Sequence, residues 1–301
     1  MERSHLPLEP PRPERRVLFE SLGVSVVDFR CRAHVEPEGP EEPNSTHSIV
    51  LVRRGVFRRT QKDESLLADA NHVVLFNAAE PSRYAHPLPG GDDCTILAVE
   101  TQRALELVAC HAPAHTEDPA TPFRFGHGIS SPRVARIHYE LLALLRSGDT
   151  RLVLDDALSV LAQESVRAVY GGARARRAAP TARTRRRRRE LVEAVSMAIH
   201  GRLNSPPALG ELARAFDCSP FHLSHVFRQT TGVSLRRYVQ QLRARIAADR
   251  LAAGAPDLTG LALDLGYADH SHFTNAFRRE WGLPPSRFRV RASPPPPAPL
   301  R

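Results

Sequence analysis

Two sets of polar, aromatic and basic side chains near the C-terminus have the chemistry needed to contact nucleic acid. Arginine pairs with phosphates, asparagine forms two hydrogen bonds with adenine, hydroxyl groups accept or donate, and an aromatic ring packs on a thymine methyl group. The first set comprises Phe221, Ser224, His225 and Arg228. The second set comprises His270, Ser271, Thr274, Asn275 and Arg278. Both sets are predicted to face the major groove of DNA.

The side chains also suggest individual roles. Asn275 is predicted to make a bidentate contact with adenine. Phe221 is predicted to press on a thymine methyl group; the alternative is that it covers the core between the helices. Arg228 and Arg278 lie near the ends of their helices, where the outer turns diverge from the groove floor. They are therefore predicted to hold phosphates.

A near-repeat of apolar residues positions these two sets. The first copy is Leu212-Ala213, then Leu223, Val226 and Phe227, then Gly232, and the second is Leu261-Ala262, then Phe273, Ala276 and Phe277, then Gly282. The residues before each glycine are spaced i, i+3 and i+4, which is one face of a helix. Each copy therefore predicts a helix-turn-helix unit, over 209–230 with Ser219 as N-cap and over 258–281 with Asp269 as N-cap. A joining helix from Leu235 to about residue 253 would place both second helices in successive major grooves, about 34 Å apart.

The C-terminal hundred residues resemble the AraC/XylS family of bacterial transcription regulators. The resemblance is carried by LGELARAFDCSPFHLSHVFRQTTGVSLRRYV, QLRARIAADRL and LTGLALDLGYADHSHFTNAFRREWGLPPSRFR. It implies a DNA-binding regulator, an activator that also contacts RNA polymerase. Three residues depart from the family pattern: Asp217 replaces the usual turn glycine, His225 replaces a frequent arginine, and Gly260 lies early in a helix. These departures affect sequence preference and local stability rather than DNA binding itself.

The N-terminal part is predicted to be rich in β-strands. Runs of Val, Ile, Leu and Phe at 24–29, 47–52, 72–76 and 94–99 are separated by Gly/Pro turns, which favours a small barrel or sandwich. VVLFNAAEPSRYAHPLPGGDDCTILAVE resembles, more weakly, the cupin-like effector and dimerisation barrel that precedes the DNA-binding domain in this family. Two amphipathic helices follow from Pro132, and they are open to two interpretations: a dimer surface, or a pair packed on its own barrel. Candidate effector-binding residues are His47, Arg83, Tyr84 and His86.

The charge is unevenly distributed along the 301 residues. The net charge is +9, with +14 on residues 172–301 and −5 on residues 1–171, which suits phosphate binding by the C-terminal half.

The predicted organisation is α+β: a disordered arm (1–16), a cupin-like β-barrel with its helical pair (17–170), an Arg-rich linker (171–189), an all-α domain of two helix-turn-helix units joined by a long helix (190–291), and a Pro-rich disordered tail (292–301). The arginine run at 185–189 is either an exposed tether or a phosphate clamp beside the DNA-binding unit, and these two interpretations are compatible.

Other functional classes find less support. No apolar run is long enough to span a membrane and no secretion signal opens the chain, so a cytoplasmic location without a membrane partner is expected. The four cysteines have no C-x-x-C spacing and are expected to be reduced and buried, without a zinc site. No nucleophile–base pair or nucleotide motif is found, so we expect no enzyme, no cofactor and no metal among His34, His47, His72 and His86.

The partners expected are double-stranded DNA, RNA polymerase, a small-molecule effector and a second copy of the chain. The alternative is a ligand sensor with a non-specific or architectural DNA-binding half; a metal-dependent barrel enzyme is a third hypothesis.

Overall fold

The N-terminal part folds into two antiparallel β-sheets. The computed structural model describes residues 13–21, 23–33, 38–62, 64–113, 118–176, 181–255 and 257–292, so His34 and most of the predicted arm and tail lie outside the described residues. One sheet has the strand order β1-β2-β9-β4-β7-β10 and the other β3-β8-β5-β6. The strands are Glu14–Ser21 (β1), Val24–Cys31 (β2), Glu42–Pro43 (β3), His47–Gly55 (β4), Phe57–Gln61 (β5), Glu64–Ala68 (β6), His72–Phe76 (β7), Pro81–Ala85 (β8), Asp92–Val99 (β9) and His127–Ile129 (β10).

The four strands predicted from apolar runs are neighbours in the larger sheet. They correspond to β2, β9, β4 and β7, and each is buried along most of its length. The predicted barrel closure is not confirmed, because no hydrogen-bonded ladder joins the two sheets within the described part of the chain. The sheets pack face to face instead, through a core of alternate residues that includes Val50, Val52, Phe57, Leu66, Val74 and Phe76.

The opposite face of the larger sheet is covered by helices. Helices α1 (Thr101–Ala109), α2 (Pro132–Ser147) and α3 (Arg151–Arg176) contribute Leu107, Leu141, Leu158 and Leu161 to a core shared with Ile49. Burying these apolar faces removes them from water. Of the two interpretations of the helical pair, the structure shows packing on the sheet of the same chain.

The C-terminal domain is entirely helical in its described residues. Its helices are Ala182–Gly201 (α4), Leu209–Ala215 (α5), Pro220–Thr231 (α6), Leu235–Ala252 (α7), Leu258–Asp264 (α8), His270–Trp281 (α9) and Pro285–Ala292 (α10). The two predicted helix-turn-helix units are α5–α6 and α8–α9, and α7 is the predicted joining helix. None of the helices in the part of the chain described here has the length and apolar character of a membrane span.

Helical structure enters both ends of the segment predicted as a linker. Helix α3 continues to Arg176, and α4 begins at Ala182 rather than near Glu190, so the arginine run at 185–189 is helical. Thr181 caps this helix through the backbone N–H of Thr184, and Arg186 pairs with Glu190 at 2.8 Å. Arginine is a good helix former, and an i,i+4 pair with glutamate adds support, which explains the earlier start. At the other end of the N-terminal domain, β1 begins at Glu14, inside the segment predicted as a disordered arm.

A buried carboxylate joins the sheets to the helices of the C-terminal domain. Asp69, between β6 and β7, is 1% exposed and accepts hydrogen bonds from the backbone N–H of Asn71 and the Tyr238 hydroxyl, at 2.8 and 2.5 Å. The His72 and His200 rings lie 2.8 Å from the two carboxylate oxygens. Burial alone would raise the pKa of Asp69, but the charge of His72 and the hydrogen bonds with both histidines hold it well below its usual value.

A second set of contacts fixes α7 against the N-terminal domain. Arg245 is 2% exposed and donates to the carbonyls of Ala70 and Ser130 and to the side chain of Asn71, at 2.9, 2.6 and 3.0 Å. From α2, Tyr139 packs edge-on against Trp281, with ring centroids 5.3 Å apart. The two domains therefore share a polar contact and an aromatic contact.

Candidate nucleic-acid interface

Helix α6 is fixed at both ends by residues that the sequence identifies. The Ser219 hydroxyl accepts from the N–H of His222 at 3.1 Å and Pro220 occupies the first helical position, as predicted. Gly232 ends the helix in the left-handed conformation, φ +82°. Leu223, Val226 and Phe227 are fully buried on its inner face.

The outer face of α6 presents an aromatic and basic surface. Phe221 is 82% exposed and its ring stacks on the His225 ring, with centroids 6.1 Å apart and planes 9° from parallel. This exposure contradicts the alternative in which Phe221 covers the core. His225 and Arg228 are exposed, and Ser224 is half-buried. The four side chains of the first set therefore lie on or beside one open face.

Helix α9 repeats this design with different outward side chains. Asp269 caps it through the N–H of His272 at 2.7 Å, as predicted, and Phe273, Phe277 and Trp281 are buried on its inner face. The residues of the second set that are exposed are His270, Ser271, Asn275 and Arg278. Thr274 is half-buried, and its hydroxyl oxygen is buried without a hydrogen-bond partner. Its hydroxyl is therefore less accessible than the other polar groups of the set.

The turns of the two units have the same backbone conformation but different surroundings. Asp217 and Gly266 occupy corresponding positions and have φ values of +47° and +73°. Aspartate is one of the few residues with a side chain that adopt this region readily. At Gly266 a Cβ atom would overlap the carbonyl oxygen of Asn204, so only glycine fits. The second turn is packed against the segment that follows α4.

Helix α7 holds both units. Tyr238 packs edge-on against Phe227 of the first unit, with ring centroids 5.3 Å apart. In the second unit, the Trp281 indole donates to the carbonyl of Ala244 at 3.1 Å. The buried Glu280 pairs with Arg237 at 2.6 Å. Helices α6 and α9 are thus both attached to α7.

The arginine run lies beside the first unit, where the phosphate-clamp interpretation places it. Arg188 donates to the side-chain oxygen of Gln229 on α6 at 2.8 Å. Arg185, Arg186 and Arg187 are exposed. The sequence analysis placed these arginines in a linker, whereas they belong to α4, and their contact with α6 depends on long-range packing.

The four candidate effector residues lie in different surroundings. His47 is buried on the larger sheet and its Nδ1 atom accepts from the N–H of Ala78 at 3.0 Å, while burial lowers its pKa. Arg83 is exposed. Tyr84 packs against Phe76 and donates to Asn44 at 2.8 Å.

His86 lies at the end of the sandwich. Its Nε2 atom is 2.7 Å from Asp92, and its side chain is 12% exposed. Burial by itself would lower the pKa of His86, but hydrogen bonds with Asp92 and Cys31 raise it to about 9. Neither Asp92 nor Cys31 stood out in the sequence as a partner of His86, because Cys31 lies far from the other two residues along the chain.

Together the capped helices and the two turns define a protein with a double helix-turn-helix domain. A family model described as a helix-turn-helix domain matches residues 212–291. The regulatory protein SoxS of Salmonella typhimurium is 28% identical over 102 residues, which cover 34% of this chain and 95% of SoxS. The HTH-type transcriptional activator RhaR of Escherichia coli K12 is 32% identical over 87 residues, which cover 29% of this chain but 31% of RhaR.

Solved structures were also compared. An AraC-type regulator from Chromobacterium violaceum is 23% identical, with a TM-score of 0.32 over 36% of this chain and 95% of that one. ToxT from Vibrio cholerae is 11% identical, with a TM-score of 0.35 over 91% of this chain and 99% of that one. The family match and the curated relatives confirm the predicted resemblance of the C-terminal residues to helix-turn-helix regulators of the AraC/XylS family.

Proposed function

We propose that this protein is a sequence-specific transcription regulator, an activator, and that each chain reads two successive major-groove segments. The observation that carries the proposal is the pair of capped helices, α6 and α9, with open outer faces and a shared attachment to α7. The domain organisation belongs to the same proposal: an effector and dimerisation domain over 17–170 and a DNA-binding domain over 190–291. RhaR, which resembles this chain over its C-terminal part, is named a transcriptional activator.

The proposed contacts divide into base reading and phosphate binding. Asn275 reads adenine, and Phe221, supported by the His225 ring, contacts a thymine methyl group. Arg228 and Arg278 hold phosphates, as do the exposed arginines of α4. Ser224, Thr274, His270 and Ser271 complete the two surfaces. The buried Thr274 hydroxyl supports a role for its methyl group rather than its oxygen.

The N-terminal domain is proposed to control the DNA-binding domain. Two buried contacts connect the sheets directly to α4 and α7: Asp69 with His200 and Tyr238, and Ser130 with Arg245. A change in the sheets would therefore act directly on these two helices. A cavity of about 40 Å³ lies between the domains, lined in part by His72, Glu193 and Tyr238. A small-molecule effector, a homodimer partner and RNA polymerase remain proposed partners on the evidence of the family resemblance.

Selection of duplexes from a randomised DNA pool by the full-length protein tests the proposal. We expect a bipartite motif bound about 1000-fold or more tighter than random DNA. The matched control carries Phe221→Ala and Asn275→Ala, which keep the buried faces intact and should lose the motif. Enrichment of no motif, with equal affinity for every duplex, would instead support the alternative of an architectural DNA-binding half. A thermal-shift screen of small metabolites tests effector control separately.

A further inference from the structure

Three side chains of the types that commonly bind transition metals converge at one end of the β-sandwich. Cys31 ends β2, Asp92 begins β9, and His86 follows β8, so the cluster spans both sheets. One sulfur, one nitrogen and one oxygen atom from these residues all lie within 4.8 Å of one another. Cys31 and Asp92 are register partners on adjacent strands, which places them side by side.

The geometry of these donors is close to that of a zinc site. Zinc bonds of about 2.0 to 2.3 Å to nitrogen, oxygen and sulfur put two ligands of a tetrahedral ion about 3.5 Å apart. The three donor atoms need only small shifts to reach that spacing, since the His86 and Asp92 atoms are now 2.7 Å apart. A thiolate, an imidazole and a carboxylate form a donor set that suits zinc and similar borderline ions rather than calcium or magnesium.

Neighbouring groups hold the donors in place. The Cys94 thiol donates to the second oxygen of Asp92 at 2.9 Å, which orients the carboxylate. A Cβ atom at Gly91 would overlap the carbonyl of Cys31, and one at Gly55 would overlap the carbonyl of Gly91. Three chain segments are therefore packed with their backbones in contact around the cluster. Asp92 is 2% exposed and Cys31 is 5% exposed, so the cluster is sheltered from water.

We propose that Cys31, His86 and Asp92 bind a divalent transition metal ion, zinc being the natural occupant, and that Cys94 positions Asp92 without binding the metal. Binding releases the proton of the Cys31 thiol and any proton on His86, and it leaves a fourth position for water or a small ligand. The metal links the two sheets that lack a hydrogen-bonded ladder between them in the described residues. The proposal departs from the expectation from cysteine spacing that no zinc site is present, and it does not rest on the proposed DNA-binding function.

The test uses the reduced, chelator-treated full-length protein and Co²⁺ as a spectroscopic probe, without DNA. We expect one equivalent to bind with the ligand-field bands of a tetrahedral ion and a thiolate-to-cobalt charge-transfer band in the near ultraviolet. Zinc should displace the cobalt and raise the unfolding temperature, because a ligand bound only by the folded state stabilises it.

Four variants locate the site. Cys31→Ser should abolish the charge-transfer band. Substitution of a residue that only hydrogen-bonds to a metal ligand weakens metal binding by about 10- to 100-fold, and Asp92→Asn should weaken zinc binding by more than this. Cys94→Ser keeps a hydrogen-bond donor to Asp92 and should retain the band. Cys110→Ser, an exposed cysteine outside the cluster, is the matched control and should bind like the unmodified protein.

Two results would overturn the proposal. The first is unmodified protein that binds neither cobalt nor zinc, in which case the cluster is an ion pair of His86 and Asp92 flanked by thiols. The second is a charge-transfer band that survives Cys31→Ser or disappears in Cys110→Ser, because the metal would then lie on another thiol. Circular dichroism of each variant checks that it is folded. If Cys31→Ser does not fold, the measurement on the unmodified protein decides the question.

Discussion

The two recognition helices share a scaffold and differ in the surface they present. Both begin at a side-chain cap, bury an apolar face and end at a left-handed glycine. At corresponding positions, however, α6 has Phe221 and His225 whereas α9 has Ser271 and Asn275. The comparison shows that the core residues fix where each helix lies, while the residues between them are free to set what it contacts. One unit offers apolar contact and the other offers hydrogen bonds.

The units also differ in how they are attached to the N-terminal domain. Near the first unit the attachment is polar, through Asp69, His200 and Tyr238. Near the second it is aromatic, through Tyr139, Trp281 and Phe288, with the rings of Tyr139 and Phe288 5.9 Å apart. A buried polar contact can be weakened by a change of protonation, whereas an aromatic one cannot. The first attachment is therefore the one we expect to respond to conditions.

The largest expected difference between the units is at their turns. Gly266→Ala should lower the free energy of unfolding by on the order of 3 kcal/mol, since a left-handed alanine is strained and its Cβ overlaps the Asn204 carbonyl. Asp217→Gly should change it by less than about 1 kcal/mol, because that turn is exposed. Urea unfolding of both variants measures the difference. Equal losses at the two sites would contradict the packing described for the second turn.

The polar attachment is expected to respond to acid. Asp69→Asn should lower the free energy of unfolding at neutral pH by about 2 kcal/mol, because a charge that pairs with buried histidines is lost. The pKa of Asp69 is lower in the folded state than in the unfolded one, so its contribution is full above the unfolded pKa of about 4 and is lost as pH falls below it.

Unfolding measured against pH checks this expectation. The unmodified protein should lose stability below about pH 4 more steeply than Asp69→Asn, so that the two curves approach each other. Glu106→Gln, a change on the exposed face of α1, is a suitable control that leaves the interface intact. Parallel curves for the unmodified protein and Asp69→Asn would show that the carboxylate is not stabilised by its partners.

In DNA binding, the hydrogen-bonding unit is expected to be more selective than the apolar one. Asn275→Ala should cost about 1 to 3 kcal/mol on the selected site and relax the preference at one base pair. Phe221→Ala should cost about 1 kcal/mol, with its effect limited to a thymine position. Binding to a panel of single-base variants of the selected duplex separates the two. Equal losses on specific and random duplexes would show that Asn275 does not read a base.

The smallest difference is expected at the matched arginines. Arg228→Ala and Arg278→Ala should each weaken binding to all sequences alike and reduce the slope of log affinity against log salt by about 1. The measurement is a salt titration on selected and random duplexes. A changed sequence preference in either variant would show that the arginine reads a base rather than binding a phosphate.

Local patterns predicted the helical domain, whereas long-range packing was not predictable. Ser219 and Asp269 were recognised as caps because a helix start depends on a few adjacent residues. The central strands of the larger sheet were predicted from their apolar runs, but the short or polar strands β3, β5 and β8 of the smaller sheet were not. The separation into two sheets, the contacts of Asp69 and the convergence of Cys31, His86 and Asp92 all join residues that are distant in the chain. Spacing in the sequence carries no signal for such contacts.

Hydroxyl-radical footprinting of the full-length protein on its selected duplex tests most directly whether one chain reads two grooves. With the number of bound chains fixed by sedimentation, we predict two protected segments per chain on one face of the duplex, about 10.5 base pairs apart. Combined Phe221→Ala and His225→Ala should weaken protection of one segment, and combined Asn275→Ala and Arg278→Ala the other. A single protected segment per chain, or loss of the same segment in both variants, would contradict the account.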